Sequence, residues 1–294
     1  MGEIDNQMKL HYWSAEPNFG DSLNPWLWSR LIPDNLWRSN PGDLLVGIGT
    51  LLNSNLNDYP RQMKRVFGSG VGYRALPSVN EREWKFYCVR GPLSARVLGL
   101  DVEKMAITDG ALLIRPFVRP SDQKTFRYAF MPHLDSCALA WRRICEELGV
   151  CYIDPRASVE DVLFSLGRSE VVVTESLHGA IVADLLRIPW IPVKMSQALL
   201  QFKCDDWCGS VALPYHPHPL RFVNDLPRQP DLFLRGHNRV VRHFAKHELE
   251  RLLKKAIPQL SKQSLLDELS VRLEERLLSL KRDLGLGRTL SQAG

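Results

Sequence analysis

One turn of the chain combines a histidine with the backbone geometry that binds anions. Its sequence is ESLHG, residues 175–179, and it follows the apolar, β-branched run 171–173. A helix-like segment and a second apolar run come next, so the pattern predicts a strand, helix, strand unit. Backbone N–H groups at the N-terminus of such a helix bind phosphates and carboxylates. We therefore expect Ser176, His178 and Gly179 to contact an anionic substrate and His178 to exchange protons with it near neutral pH.

Two charged residues follow other predicted strands. Arg90 comes directly after the apolar and aromatic run 84–89, and Asp21 lies in the loop 17–25 between a predicted strand and a predicted helix. Because the carboxyl ends of parallel strands meet at one edge of a sheet, both residues could face a ligand there. The guanidinium of Arg90 matches carboxylate or phosphate oxygens, but it could equally pair with a surface carboxylate. Asp21 is either a substrate contact or only the cap of the helix that follows.

Other polar residues are weaker candidates. Gly70 belongs to the Gly-x-Gly-x-Gly run 68–72, which lets the backbone approach a ligand but is also typical of a tight turn. Lys194 closes the second strand of the unit described above and could add positive charge. The segment 203–208 suits either a bound sugar or a helix end packed on the core. Its candidate contacts to a sugar are Lys203, Asp206 and Trp207.

The elements that must position these residues alternate between strand and helix. They do so on both sides of a polar stretch with two prolines, residues 115–126. The alternation predicts an α/β fold with two Rossmann-like domains, 1–115 and 127–234, facing each other across a cleft. Residues 111–114 are one of the strands predicted for the first domain. The main candidates would approach the cleft from opposite sides: Asp21 and Arg90 from the first domain and His178 from the second.

The tail, residues 235–294, differs from the rest of the chain. It carries 13 basic and 7 acidic residues and shows two helical patterns. In the second pattern leucines recur at three and four residues from Leu269 to Leu284, and Ser264 is the predicted cap. One interpretation is a helix pair that packs on the body or mediates self-association. The other is a basic amphipathic segment in peripheral contact with an anionic membrane; the acidic residues in the basic face favour packing.

Composition narrows the functional classes. The chain has 294 residues, 45% hydrophobic and 24% charged, which is typical of a globular protein. Its net charge of +5 comes from the tail, because residues 1–234 carry 25 basic and 26 acidic residues. We therefore expect no nucleic-acid partner. The six cysteines lack metal-binding spacing, so no metal site is predicted. Without a secretion signal or a membrane-spanning run, we expect a cytoplasmic protein, with the inner face of the cell membrane as the alternative place.

In their order, these motifs resemble those of the polysaccharide pyruvyl transferase family, and within it the bacterial exopolysaccharide ketal-pyruvate transferases. The resemblance covers residues 9–215. Besides the turn at 175–180 it rests on Asn18-Phe19-Gly20-Asp21, Gly68-Ser69-Gly70, Val89-Arg90-Gly91, Asp109 with Leu112-Leu113, and Lys203-Cys204-Asp205-Asp206-Trp207. Many members of the family carry an arginine where this chain has Ser176, whereas the exopolysaccharide subgroup lacks it too.

The resemblance implies a GT-B-like fold, phosphoenolpyruvate as donor, no further cofactor, and a lipid-linked oligosaccharide or polysaccharide as acceptor. Two hydroxyls of a hexose would displace phosphate and form a cyclic pyruvate ketal, which requires an acid, a base and fixed positive charge. His178 would be the acid or the base, Arg90 would clamp the donor, and Asp21 or Asp206 would be a further candidate base. The implied donor contacts are Arg90, Ser176, His178, Gly179, Lys194 and Gly70. The implied acceptor contacts are Asp21, Lys203, Asp206 and Trp207.

Two other functional classes stay open at this stage. A nucleotide-sugar-dependent glycosyltransferase could use the same fold, although no acidic nucleotide-ribose motif stands out in the sequence. A non-catalytic scaffold could use the helical tail for assembly. Thermal stabilisation by a nucleoside diphosphate but not by phosphoenolpyruvate would favour the glycosyltransferase. Unchanged activity in cells of both His178→Ala and Arg90→Ala would favour the scaffold.

Overall fold

The first of two sheets has four strands, all parallel and adjacent in chain order. The computed structural model describes residues 7–197, 200–223 and 232–286, without the side chains of 232–238. The strands of this sheet are β1 (Lys9–His11), β2 (Leu44–Val46), β3 (Lys64–Ser69) and β4 (Trp84–Val89). The sequence predicts strands at 9–14, 44–48, 65–67 and 84–89, so the four strands are confirmed with boundaries that differ by up to three residues.

The second sheet has five parallel strands in the order β6-β5-β7-β8-β9. They are β5 (Phe126–Met131), β6 (Cys151–Tyr152), β7 (Ser169–Thr174), β8 (Trp190–Lys194) and β9 (His218–Pro219). The α/β class with parallel sheets is thus confirmed. The division into two Rossmann-like domains, with boundaries at residues 115, 127 and 234, stays a prediction.

Ten α-helices connect and cover the sheets in the described part of the chain. They are α1 (Phe19–Leu31), α2 (Asp34–Arg38), α3 (Pro92–Val97), α4 (Val102–Met105), α5 (Leu139–Leu148), α6 (Val159–Gly167), α7 (Leu177–Leu185), α8 (Gln201–Ser210), α9 (Leu232–Lys255) and α10 (Gln263–Asp283). Short 3₁₀ helices occupy Ser54–Asp58, Gly110–Phe117 and Leu134–Ser136.

Local sequence signals fix the ends of several helices. Ser176 caps α7 by accepting a hydrogen bond from the backbone N–H of Gly179 at 3.3 Å. Ser158 caps α6 through the N–H of Asp161 at 3.1 Å, as the sequence predicts. Helix α5 ends at Gly149, whose φ of +66° is the left-handed conformation that glycine adopts most easily. The Ser176 cap sets the N-terminus of α7 at the carboxyl end of β7, as the sequence predicts.

The strand predicted at residues 111–114 is wrong. That segment begins a 3₁₀ helix, Gly110–Phe117, which Asp109 caps by accepting the N–H of Ala111 at 2.9 Å. Only one bridge, between Val89 and Ala106, continues the first sheet beyond β4 in the described residues. The apolar run is buried because the helix packs inward, so its hydrophobicity reflects burial and not strand pairing.

One apolar core runs from the first sheet to the second. It joins Phe67 of β3, Leu23 of α1, Val172 of β7 and Ile181 of α7, and it includes the buried face of α10. The loops at the carboxyl ends of the two sheets are therefore held in fixed relative positions, since close-packed interiors deform little.

The tail helices pack on both sheets. Helix α10 buries Leu266, Leu269, Leu273, Leu277 and Leu280, and its Asp283 accepts a hydrogen bond from the hydroxyl of Tyr87 in β4 at 2.7 Å. Helix α9 packs on the second sheet through Ala245 and Leu249. Packing on the body is thus confirmed, although Lys262 and not Ser264 precedes α10 as its N-cap. No helix in the described ranges is both long and apolar enough to cross a bilayer.

Asp184 anchors the connection between the tail helices. This fully buried carboxylate of α7 accepts hydrogen bonds from the backbone N–H of Ser261 at 2.9 Å and from Nε1 of Trp190 at 3.1 Å. The hydroxyl of Ser261 also donates to it. The contact ties the segment between α9 and α10 to the helix that begins at the anion-binding turn.

Leu273→Ala is expected to lower the free energy of unfolding by about 2–5 kcal/mol, because it leaves a cavity at a fully buried position of α10. Val271→Ala on the same helix, at a side chain that is 56% exposed, should change it by less than about 0.5 kcal/mol. Urea unfolding of both variants measures the difference. Equal effects would contradict the packing of α10 on the body.

Candidate active site

A pocket of about 660 Å³ lies where the carboxyl ends of both sheets meet. The loops after β1, β2 and β3 form one wall, and the segments after β5 and β7 form the other together with α8. This is the edge at which parallel α/β sheets bind ligands. Six of the residues that line it carry the chemistry: Asp21, Thr50, Tyr73, His133, His178 and Lys203.

His178 lies in the first turn of α7 with its ring against Gly20 of α1. A Cβ atom at position 20 would overlap Nδ1 and lie 2.6 Å from Cγ, so only glycine leaves room for the ring. The side chain keeps 13% exposure, but its Nε2 is buried and has no hydrogen-bond partner among the residues that the structure describes. Burial, with smaller contributions from Lys203 and Arg90, lowers the pKa of His178 to about 3. The expectation that it titrates near neutrality is therefore wrong, and its imidazole is neutral at physiological pH.

Asp21 lies in the first turn of α1 and lines the pocket. It does not cap the helix, because Asn18 does so by accepting the N–H of Gly20 at 3.2 Å. Burial raises the pKa of Asp21 from 3.8 to about 7, and nearby Lys203 offsets part of the rise. About half of the Asp21 carboxyl groups therefore hold a proton near pH 7.

Lys203 on α8 places a buried ammonium in the wall of the pocket. The residue is 6% exposed, and its Nζ lies 2.6 Å from the hydroxyl of Tyr73 and 3.3 Å from Nε2 of His133. Within the described ranges, no carboxylate lies within 4 Å of this Nζ. Burial and Lys203 lower the pKa of His133 to about 4, so His133 can accept this hydrogen bond. In the described part of the chain, the ammonium thus has no carboxylate in direct contact, although Asp21 lies near enough to interact with it electrostatically.

Glu175 fixes the backbone around that ammonium. Its Oε1 accepts the N–H groups of Met195 and Ser196, each at 2.7 Å, and its Oε2 accepts the N–H of His133 at 3.2 Å. The residue is 2% exposed. It joins the segments that follow β5 and β8, and so it positions His133 against Lys203.

Arg90 is not on the pocket wall, which corrects its predicted role as a donor clamp. It is fully buried, with Nε 3.2 Å from Asp206 and an Nη1 that donates to Oγ1 of Thr50 at 2.8 Å. Asp206 in turn accepts the N–H of Ser94 at 2.9 Å and its hydroxyl at 2.6 Å. The pair fastens the end of β4 to α8, so both charges are used inside the protein. Asp206 is therefore no acceptor contact, and Arg90 contacts the pocket lining from behind, at Oγ1 of Thr50 and the carbonyl of Gly49.

Four other predicted contacts do not line the pocket. Gly70 packs on the guanidinium of Arg90, where a Cβ atom would lie 2.7 Å from Nε. Trp207 is buried against the ring of Trp190, at a centroid distance of 5.5 Å. The N–H of Gly179 is used by Ser176, and Lys194 ends β8 beside β9. Of the predicted site, the pocket brings together Asp21, Ser176, His178 and Lys203.

Several residues of the pocket were not predicted from the sequence. His133 follows the predicted strand 127–131, so the rule that selected Arg90 would also have selected it. The position of Tyr73 could not be predicted from the sequence, because its φ of +65° is uncommon for a non-glycine residue. Trp13, 40% exposed, and Tyr73, 56% exposed, give the pocket aromatic faces. In the described part of the chain, no three His, Cys, Asp or Glu side chains are grouped so as to hold a metal ion.

Known proteins resemble this chain in sequence. The family model described as polysaccharide pyruvyl transferase matches residues 100–196, which include His133 and His178. The succinoglycan biosynthesis protein ExoV of Rhizobium meliloti (strain 1021) is 42% identical over 217 residues, covering 71% of this chain and 67% of that protein.

Likeness to solved structures is weaker. Two structures of the wall teichoic acid polymerase TagF, soaked with CDPG for 30 and 15 minutes, align with TM-scores of 0.37 and 0.36 at 11% identity. The alignments cover 94% of this chain and 90% and 89% of the other chains. Scores this low establish no common fold.

Proposed function

Because the chain belongs to the polysaccharide pyruvyl transferase family, we propose that it moves the enolpyruvyl group of phosphoenolpyruvate onto a hexose of an exopolysaccharide repeat unit. Two hydroxyls of that hexose close a cyclic pyruvate ketal, and no cofactor takes part. The name of the relative supports the choice of acceptor, since succinoglycan is an exopolysaccharide.

The observation that carries this proposal is the buried ammonium of Lys203, which forms no ion pair within the described residues. Phosphoenolpyruvate has a carboxylate and a phosphate, and a buried cation without a counter-ion binds such an anion strongly. The N-termini of α1 and α7 open on the same pocket through Asn18 and Ser176, and their dipoles add to the attraction. Arg74, exposed on the rim, supplies a second positive charge.

We place the acceptor against the opposite wall. Tyr12 and Trp13 follow β1 on this wall, and Tyr73 after β3 lines it where its hydroxyl contacts Lys203 of the other wall. Aromatic rings bind the apolar faces of sugars, and Asn53 and Asn55 on the same wall suit sugar hydroxyls. These residues replace Asp206 and Trp207 as acceptor contacts, while Asp21 lies on the same wall and interacts with Lys203 of the other.

The two perturbed side chains receive opposite roles in proton transfer. Asp21, protonated up to about pH 7, donates to the donor methylene, which makes C2 cation-like. Neutral His178 takes the proton of the first hydroxyl as its oxygen bonds to C2. The second hydroxyl then bonds to C2 while the bond to phosphate breaks. Of the two hydroxyl protons, one returns to Asp21 and one leaves with phosphate, so the groups are restored.

The proposal extends to the arrangement of the two sheets around the pocket. Because loops from both sheets line the pocket, we propose a GT-B-like arrangement in which each sheet supplies one substrate site. The lipid linkage of the acceptor, peripheral membrane contact or self-association through the tail, and a cytoplasmic localisation stay predictions from sequence.

Incubation of the protein with phosphoenolpyruvate and a panel of methyl hexosides tests the function. We expect phosphate release that depends on the hexoside, together with an acid-labile adduct whose NMR spectrum shows a ketal methyl group. Thermal-shift titrations with phosphoenolpyruvate and with nucleoside diphosphates run alongside. Stabilisation by a nucleotide alone, with no phosphate released from phosphoenolpyruvate, would contradict the proposal and favour a nucleotide-sugar glycosyltransferase.

Gly20→Ala is expected to lower kcat by about 10²-fold, because the new Cβ atom displaces the ring of His178. The backbone of α1 tolerates alanine well, so the fold should persist. Gly167→Ala is a matched control at a helical glycine whose Cβ would meet nothing closer than 3.7 Å. Normal turnover by the Gly20 variant would contradict the role of His178.

A further inference from the structure

Two buried polar atoms lie close together beside the pocket. Oδ2 of Asp109 and Nε2 of His178 are 3.9 Å apart, and neither makes a hydrogen bond to any described residue. Asp109 is fully buried, and its other oxygen caps the 3₁₀ helix through the N–H of Ala111. Buried polar atoms normally have partners, so this pair requires an explanation.

The backbone around the pair holds it in this geometry. Gly68, at a φ of +73°, packs on the turn that begins at Gly110, where a Cβ atom would lie 2.6 Å from the Gly110 Cα. Gly20 packs on the Nδ1 side of the His178 ring. These contacts restrict movement of the ring and of the Asp109 backbone, and the hydrogen bond from Ala111 to Oδ1 restrains the carboxylate with Oδ2 near Nε2.

The charged groups around the pair are engaged elsewhere. Arg90 acts on both residues but pairs with Asp206, and Lys203, which acts on His178, contacts Tyr73 and His133. Burial raises the pKa of Asp109 to about 6; the N–H of Ala111 and Arg90 oppose the rise and Asp206 adds to it. The carboxyl is thus largely ionised above neutral pH, when the imidazole of His178 is neutral.

We propose that Asp109 is the positioning residue of His178: its free Oδ2 holds the Nε2–H tautomer and so leaves the Nδ1 lone pair for the acceptor hydroxyl. The inference rests on the proposed function, in which His178 is the base. When Nδ1 takes the hydroxyl proton, the imidazolium donates its Nε2–H to Asp109 and the gap closes. The proton on Nδ1 is later returned, and Asp109 itself gains none.

A carboxylate that fixes the tautomer of a catalytic histidine has a known energetic signature. In serine proteases, replacing that carboxylate by an amide preserves the geometry and lowers kcat by about 10⁴-fold. Asp109→Asn is expected to lower kcat by at least about 10²-fold and to leave the KM for phosphoenolpyruvate within about twofold, because the donor contacts are unchanged.

Two further variants control for structure. Asp109→Ser keeps a side chain that can cap the 3₁₀ helix but removes the oxygen that faces His178. It should lose kcat as Asp109→Asn does. Asp101→Asn alters the exposed N-cap of α4 and should leave kcat unchanged. Similar losses in the Asp101 and Asp109 variants would mean that capping alone matters, which overturns the proposal.

Nitrogen NMR of histidine-labelled protein tests the tautomer without turnover. The signal of His178 is assigned by its loss in His178→Gln. We expect a proton on Nε2 in the wild type and a shift toward Nδ1–H in Asp109→Asn. A wild-type proton on Nδ1, or an unchanged tautomer with unchanged kcat in the variant, overturns the proposal, even if the variants of Asp109 fold poorly. The predicted tautomers without any pyruvyl transfer would uphold the pair and reject the proposed function.

Discussion

Asp21→Asn should lower the turnover of pyruvyl transfer by about 10²–10⁴-fold, since it removes the proposed general acid from the pocket. The same change should stabilise the folded protein at alkaline pH. The pKa of Asp21 is about 7 in the folded protein against an ordinary 3.8, so the folded state holds a proton that the unfolded chain releases. Its contribution to stability therefore falls as the pH rises from about 4 to about 7.

Unfolding with urea at pH 5 and pH 8 measures that contribution. The rise in pKa corresponds to up to about 4 kcal/mol of destabilisation once the carboxyl is fully ionised, and asparagine removes this cost. The variant should thus gain more stability at pH 8 than at pH 5. Asp34→Asn, an exposed carboxylate in the first turn of α2, is the matched control and should alter neither turnover nor this difference. An Asp21 variant with normal turnover would remove it from the mechanism.

The pH dependence of kcat in the wild type also tests Asp21 as the general acid. At saturating phosphoenolpyruvate, kcat should fall about tenfold per pH unit above about pH 7, as Asp21 loses the proton it donates. His178, with its pKa lowered to about 3, should add no limb between pH 5 and pH 7, whereas kcat should rise from pH 5 to about pH 6 as Asp109 becomes ionised. A kcat that rises through pH 7 would show that the titrating carboxyl acts as a base.

Lys203→Met is expected to raise the dissociation constant of phosphoenolpyruvate by about 10²–10³-fold, because it removes the buried cation that the donor would pair with. Within the described residues Lys203 has no ion pair, so the variant should fold with at least the stability of the wild type. Calorimetric titration measures the affinity. Lys194→Met is the matched control, since Lys194 ends β8 away from the pocket. Equal losses in both variants would show that net charge, and not this site, governs binding.

Short-range signals in the sequence predicted the elements of the fold. The β-branched run before Ser176 and the run 84–89 became β7 and β4 because strand formation depends on local pattern. The apolar residues 111–114 were misassigned because burial against a helix and burial in a sheet give the same composition. Tail packing could be predicted from leucine spacing, while its contact partner in β4, Tyr87, could not.

The candidate site was predicted less completely than the fold. Sequence position indicated which residues follow strands, but not whether a partner from a distant segment would occupy them. Arg90 and Asp206 are separated by 116 residues and neutralise each other inside the protein, which left Lys203 as the buried cation at the pocket. The protonation states of Asp21 and His178 likewise depend on burial between segments of both sheets, which no local motif encodes.

Pyruvyl transfer in deuterated water tests whether the donor methylene is protonated as the ketal forms. The protein, phosphoenolpyruvate and an accepted hexoside are incubated in D₂O, and the product is examined by NMR and mass spectrometry. We expect one phosphate to be released for each ketal formed. We also expect a single deuterium in the ketal methyl group, delivered through the exchangeable carboxyl of Asp21. A product that retains the methylene as an enol ether, or a glycoside formed only when a nucleotide sugar is supplied, would contradict the proposed function.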